Sequence, residues 1–194
     1  MRMPTETDAP MRYCLFDTDI GPMGLAWSEH GLTRLQLPES DRGATEKRLR
    51  GRSESAVAAE PPPQIVKAIA QIRSYLAGER IAFSGIELDL AGVGEFHRTI
   101  YDALRRIGWG ETTTYGALAR QAGDPGASRA VGQAMGRNPI PVIIPCHRVL
   151  ASGGKAGGFS AFGGADTKQR LLALEGVRLG EGTPLLPGLL PSGM

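Results

Sequence analysis

Along residues 13–107 the spacing of apolar side chains switches from short alternating runs to a helical repeat. That switch restricts the chain to folds in which a strand-rich part precedes a helical part. From Tyr13 to Leu37 the apolar runs are broken by Gly21-Pro22, Gly24 and Gly31, the punctuation of two or three strands joined by tight turns. Pro38 to Pro63 is polar, charged and ends in proline, and reads as a loop or linker with helical tendency only at Ala44 to Arg50. Ile65, Ile69, Ile72 and Leu76 then recur at helical spacing and Gly78 follows as a stop, which predicts one amphipathic helix over Gln64 to Leu76. Phe83 to Leu90 alternates once more, as a last strand would, and Phe96, Ile100, Ala103, Leu104 and Ile107 restore the helical repeat from Glu95. The expected fold class is α/β, with an N-terminal scaffold domain at 1–88, a helical C-terminal domain at 89–179 and a Gly/Pro/Leu-rich tail at 180–194.

Two short helices around a turn are expected next. Thr113 or Thr114 can cap a helix from Tyr115 to Ala122, Gly123 ends it, and Asp124-Pro125 supplies a cap and first turn for a second helix from about Gly126 to Gly136. Ala127, Ala130, Gly132, Ala134 and Gly136 leave that second helix slim, with Arg129 and Arg137 as its cations. Such a helix-turn-helix is a common structural connector as well as a DNA-reading unit, and small residues serve core packing as readily as groove contact. Charge adds a direction: Lys and Arg number 11 against 12 Asp and Glu over 1–88, but 11 against 7 over 89–179. The modest net charge of +2 therefore conceals a basic C-terminal part, where any nucleic-acid contact would fall.

The same part holds Pro145, Cys146, His147 and Arg148, directly behind the apolar run Pro141, Val142, Ile143 and Ile144. A thiol followed by a histidine and an arginine sits among cations that favour the thiolate, its reactive form. Free cysteine is also among the most commonly buried residues, so the run reads equally as a buried strand or loop with His147 and Arg148 at its solvated end. Cys14 is the other cysteine and reads as a buried strand residue; two cysteines make no disulfide framework. His30, His97 and His147 offer no Cys-x-x-Cys or His-x-x-x-His spacing, so no metal is expected. Met1 to Pro10 is polar and interrupted by prolines, with no apolar stretch suited to a signal peptide or membrane span, which points to a cytoplasmic protein without a membrane partner.

Taken together, Thr114-Tyr115-Gly116, Arg129-Ala130-Val131-Gly132, Asn138-Pro139, Ile144-Pro145-Cys146-His147-Arg148-Val149, Leu171-Leu172 and Glu175-Gly176 resemble the O6-alkylguanine-DNA alkyltransferases, also called methylated-DNA-protein-cysteine methyltransferases. The resemblance runs over residues 90–178, and the N-terminal half is compatible with it through Ile20-Gly21-Pro22 and Gly31-Leu32. It implies a ribonuclease H-like N-terminal domain, a winged-helix-like helix-turn-helix in the C-terminal domain, a monomer without a cofactor, and double-stranded DNA carrying O6-alkylguanine as the partner. The implied activity is that of a single-turnover methylated-DNA-[protein]-cysteine S-methyltransferase, in which Cys146 takes the alkyl group irreversibly.

The resemblance also implies roles. His147 acts as a base through a water and Glu175 orients it, the arrangement expected of an activated nucleophile; alone, Glu175 reads equally as a solvated helix-end carboxylate. Asn138, held by Pro139, braces the turn. A base inside a duplex must be flipped out before chemistry. Tyr115 crowds the target phosphate and gives a proton to the departing guanine, while Arg129 fills the vacated stack, although an exposed helix arginine would look the same. Ala130 and Gly132 keep the helix slim enough for the minor groove, where readout is nearly blind to sequence. Arg137, with Arg105 and Arg106, is a phosphate contact or an ordinary solvated arginine. The pocket is expected from the Val149 carbonyl, the backbone near Ser160 and the ring of Phe159.

Two departures from the family pattern stand out. The loop Gly157 to Gly164 carries Phe159 where many members have a tyrosine before the serine, and it is two residues longer, which bears on the alkyl groups accepted, with O4-alkylthymine left open. Ile107-Gly108-Trp109-Gly110 replaces a proline-glycine turn, and Tyr101 stands where a tryptophan is frequent. Two other functions stay in view. One is a lesion-binding protein that flips alkylguanine without repairing it, against which Cys146 argues. The other is a thiol hydrolase, against which the adjacency of Cys146 and His147 argues, because hydrolases usually bring their histidine from elsewhere in the chain.

Overall fold

The computed structural model describes residues 11–51 and 55–179; the expected tail at 180–194 lies outside the described residues. Strands β1 (Arg12–Thr18), β2 (Gly21–Ser28) and β3 (Gly31–Gln36) form an antiparallel meander, and β4 (Val57–Ala58) adds parallel to β1, giving the order β3-β2-β1-β4. Each hairpin closes on a glycine, Thr18 opposite Gly21 and Ser28 opposite Gly31. At Gly31 no other residue fits: its φ is +141° and a Cβ would stand 2.5 Å from the Glu87 carbonyl oxygen.

Both faces of β2 are covered, which is why Met23 to Trp27 are buried without a break apart from the glycine's missing side chain. Met23, Leu25 and Trp27 join Ile65, Ile69 and Ile72 of α2 (Pro63–Leu76) in the main core. Ala26 joins Tyr13 and Leu49 on the other side, where α1 (Arg42–Arg50) packs. Gly24 permits that approach, because a Cβ there would lie 2.6 Å from Leu49 Cδ2. The helical tendency at Ala44 to Arg50 is thus a full helix starting at Arg42, with the Asp41 carboxylate accepting from the Ala44 N–H at 2.8 Å. Its buried residues are only Thr45 and Leu49, too few for an apolar repeat to stand out.

Phe83 to Leu90 is not the strand its alternation predicts. Its pairing is a single bridge between Leu32 and Leu88, and Phe83 and Ile86 close a turn with both side chains in the core. Beyond it come α3 (Glu95–Arg105), β5 (Thr113–Thr114), α4 (Tyr115–Gln121), α5 (Ser128–Gly136), β6 (Val149–Leu150) and α6 (Ala165–Leu174), with β5 and β6 parallel. Thr114 caps α4 by accepting from the Ala117 N–H at 3.2 Å. Asp124 caps nothing in α5; it takes the Gly126 N–H within the connecting turn, and the helix begins later, at Ser128. Tyr101 donates to the Ala134 carbonyl at 2.8 Å and ties α3 to α5.

One apolar cluster runs through both parts of the chain, and the Leu35 N–H donates across them to the Pro139 carbonyl at 2.9 Å. Arg105, considered above as a phosphate contact, is used the same way: its guanidinium donates to the Phe83 and Ile86 carbonyls. Among the described residues no helix is long and apolar enough to cross a membrane.

Candidate active site

The apolar run before Cys146 is a tight loop. The Ile144 N–H donates to the Ile140 carbonyl at 2.9 Å, and Val142 is the one non-glycine residue among those described with positive φ, +73°. For a β-branched residue that conformation is strained by about 1–3 kcal/mol and needs external support. Asn138 supplies it from both sides, donating to the Ile144 carbonyl at 2.8 Å and accepting from the Ile140 N–H at 3.0 Å. The chain then makes a single 3-10 turn over Cys146 to Arg148 rather than an extended segment.

That turn sends His147 and Arg148 together onto Glu175, and these sequence neighbours do not act on the thiol as expected. Cys146 is 5% exposed. Burial pushes its thiol up, against a hydrogen bond from the Asn138 side chain, the Lys168 charge and backbone N–H groups of Cys146 and His147, all of which favour the thiolate. His147 is fully buried, and burial holds its imidazole below the ordinary value, so it is neutral near pH 7. Arg148 turns onto Glu175. The cation whose charge favours the thiolate is Lys168, itself buried, with Nζ donating to the Val149 carbonyl at 2.5 Å. Lys168 precedes Glu175 by two helical turns and so shares its face of the final helix; that spacing is the signal by which the sequence could have disclosed it.

Glu175 is not solvated. At the end of α6 it is 4% exposed and surrounded by donors. Its Oε1 accepts from Tyr75 Oη at 2.6 Å, Arg148 Nη2 at 2.8 Å and His147 Nε2 at 2.8 Å; Oε2 accepts from Arg148 Nε at 2.8 Å and the Gly110 N–H at 3.2 Å. Burial alone would raise the carboxyl, but the bonds from His147, Arg148 and Tyr75 outweigh it and hold the group at about 2. An ionised carboxylate only accepts, so the His147 proton resides on Nε2 and Nδ1 is left with a lone pair. Nδ1 is buried and has no hydrogen-bond partner among the described residues. Tyr75 went unnoticed in sequence because it lies inside the apolar stripe of α2. Its hydroxyl, which must find a partner once buried, was the available clue.

A cleft of about 200 Å³ opens beside Cys146, lined by Arg137, Asn138, Phe159 and Ser160 among others. The N-terminal part contributes to its wall through Gln36, Glu39 and Arg48, none of which the motifs suggested. Tyr115 and Val149 are not on this wall. Tyr115 is half-buried at the start of α4 with its ring against Gly157, where a Cβ would come within 3.4 Å of Cε2; the Val149 carbonyl already receives Lys168. Arg129 on α5 and Arg137 just past its end are exposed, Ala130 and Gly132 are half-buried, and Val131, Ala134 and Met135 hold the helix to the core. Phe162, in the longer loop, is 56% exposed. Among the described residues no cluster of His, Cys, Asp and Glu is arranged to hold a metal ion.

The class is that of cysteine acceptors, and comparison with known proteins makes it specific. Residues 11–90 match the ribonuclease-like domain of 6-O-methylguanine DNA methyltransferase, and residues 95–177 match its DNA binding domain. A methylated-DNA–protein-cysteine methyltransferase of Mycolicibacterium paratuberculosis is 42% identical over 165 residues, 85% of this chain and 92% of that protein. One from Methanosarcina acetivorans is 39% identical over 170 residues, 86% of this chain and 99% of its own length. Among solved structures, Mycobacterium tuberculosis OGT in complex with DNA superposes with a TM-score of 0.68 at 38% identity, over 85% of this chain and 93% of that one. The chain belongs to the 6-O-methylguanine DNA methyltransferase family.

Proposed function

We propose that this protein repairs DNA by moving the alkyl group of O6-alkylguanine onto Cys146, once per molecule. The reading is carried by the buried His147–Glu175 pair, which leaves a lone pair at Nδ1, without a partner among the described residues, in the residue that follows a buried thiol. The thiol gives its proton through a bridging water to Nδ1. The thiolate attacks the alkyl carbon in line; the S–C bond forms as the C–O6 bond breaks, and that bond's electron pair leaves with guanine. Guanine takes a proton relayed by the Tyr115 hydroxyl, which burial keeps protonated. Lys168 and Asn138 favour the thiolate, and Glu175 keeps His147 in the tautomer that can receive the proton.

Reaching the base requires flipping it from the duplex. Arg129, outward on a helix whose other contacts are small, fills the gap it leaves from the minor groove, with Ala130 and Gly132 allowing close approach and Arg137 contacting phosphate. Tyr115 crowds the target phosphate. Val149, Phe159 and Ser160 bound the flipped base, and the longer Phe159 loop sets which substituents are admitted. The helix-turn-helix with the β5–β6 pair acts as a winged unit, the two domains divide near residue 88, and the protein works as a cytoplasmic monomer without cofactor.

Incubation with a duplex containing one O6-methylguanine tests this by mass spectrometry. A gain of one methyl on Cys146 is expected, and Cys146→Ser should abolish transfer while binding DNA nearly as well. An unmodified thiol despite tight binding would instead identify a non-repairing lesion-binding protein.

A further inference from the structure

Glu175 receives a donor from a distant part of the chain. Tyr75 lies in α2, packed between Phe83 and Trp109, with ring centroids 5.5 and 5.3 Å away. It is fully buried, and its hydroxyl stands 2.6 Å from Glu175 Oε1 and 3.2 Å from His147 Nε2. Because Oε1 is an ionised acceptor, the phenol proton points to it; the phenol oxygen is then free to share the Nε2 proton with the carboxylate. Burial raises the Tyr75 phenol well above its ordinary value, so it remains a donor at any working pH.

We infer that Tyr75 is a positioning residue of the transfer reaction, through which the N-terminal part holds Glu175 and keeps His147 protonated on Nε2 with Nδ1 open. A carboxylate has room for about four donated protons, and here five donors converge on it. With its charge so engaged it orients His147 without drawing the Nε2 proton away, and it stabilises an imidazolium less than a bare carboxylate would. The other charged groups acting on His147 are Arg148 in the same turn and Lys168 on α6, both of which oppose its protonation. Removing the hydroxyl therefore makes Glu175 a stronger partner for a charged imidazole and raises the His147 pKa. This inference rests on the alkyl-transfer reading, since it matters only if His147 receives the thiol proton.

The test is Tyr75→Phe, which keeps the ring and its packing. Nitrogen NMR of His147 and the single-turnover methyl-transfer rate are measured on the same samples, with thermal unfolding recorded alongside. The expected result is a His147 pKa higher by at least about half a unit, the neutral imidazole's proton still on Nε2, and the acid limb of the transfer-rate profile displaced to higher pH by the same amount, in a protein that still unfolds cooperatively. A variant that loses stability but keeps the parent pKa and rate profile overturns the inference. Phe83→Leu disturbs the same packing and leaves the hydroxyl, so it should lower stability without moving the pKa; a shift as large as that of Tyr75→Phe would refute a role for the hydroxyl. If Tyr75→Phe does not fold, the unmodified protein decides: a proton found on Nδ1 rather than Nε2 refutes the inference. Failure of the parent protein to methylate Cys146 would refute the transfer reading itself, whatever the NMR shows.

Discussion

Replacing Glu175 with Gln should unfold the protein more easily by an amount that the site's electrostatics set in advance. The carboxyl is held at about 2, against an ordinary value of 4.5. A difference of that size corresponds to about 3 kcal/mol of folding free energy at neutral pH. A separate consideration agrees: Arg148, 6% exposed, would be left without its counter-charge, and breaking a buried pair from one side costs about 3–5 kcal/mol. The thermal midpoint should fall by roughly 10 °C for a chain of this size. The sign with pH follows from the folded value being depressed. The stabilisation is complete above the unfolded value of 4.5 and is lost as pH falls towards about 2. Urea unfolding of both proteins should therefore show a gap that is widest at neutral pH and closes below about pH 4 as the parent weakens. His147 is also held low, so its acid-side loss begins at the higher pH where histidine ordinarily titrates and does not mimic the carboxylate window. Equal stability at neutral pH, or a gap that stays constant into acid, would refute the account.

Asn138→Ala removes both supports of the strained Val142 loop and a hydrogen bond that favours the thiolate. Stability should drop by about 1–3 kcal/mol, and the pH dependence of Cys146 alkylation by iodoacetamide should move to higher pH; an unmoved profile would separate Asn138 from the thiol. Arg129→Ala touches an exposed position on α5, so its stability should stay within about 0.5 kcal/mol of the parent. Repair of duplex should slow much more than reaction with a free benzylated base, and an equal loss on both substrates would exclude a role in base extrusion.

Local signals in the chain were legible where the physics is local. The apolar repeat from Ile65 to Leu76 and the Thr114 cap correspond to α2 and α4 within a residue or two. Phe83 to Leu90 misled because a turn can bury two side chains as an alternating strand does. Arg42 to Arg50 was underrated because few apolar residues mark its buried side. In the site, Cys146 stood out by its cationic neighbours and the family resemblance implied roles for His147, Glu175 and Asn138, yet the charge effect expected of His147 and Arg148 on the thiol is exerted by Lys168. His147 and Arg148 both turn onto Glu175, and only the packing of α6 brings Lys168 to bear on the thiol.

What the sequence by itself determined was the order of a strand-rich and a helical part and the residue types needed for thiol chemistry beside two short helices. Both follow from hydrophobic period, caps and short motifs, which act over a few residues. Only the tertiary structure decided that Tyr75 meets Glu175 across 100 positions and that Gln36, Glu39 and Arg48 wall the cleft beside Cys146. Those contacts depend on how α2 and β3 dock against the C-terminal helices, and no period or spacing along one segment encodes the distance to another. The chemistry of Cys146 is written in the chain, but the donors that surround Glu175 and orient His147 are assembled by the fold.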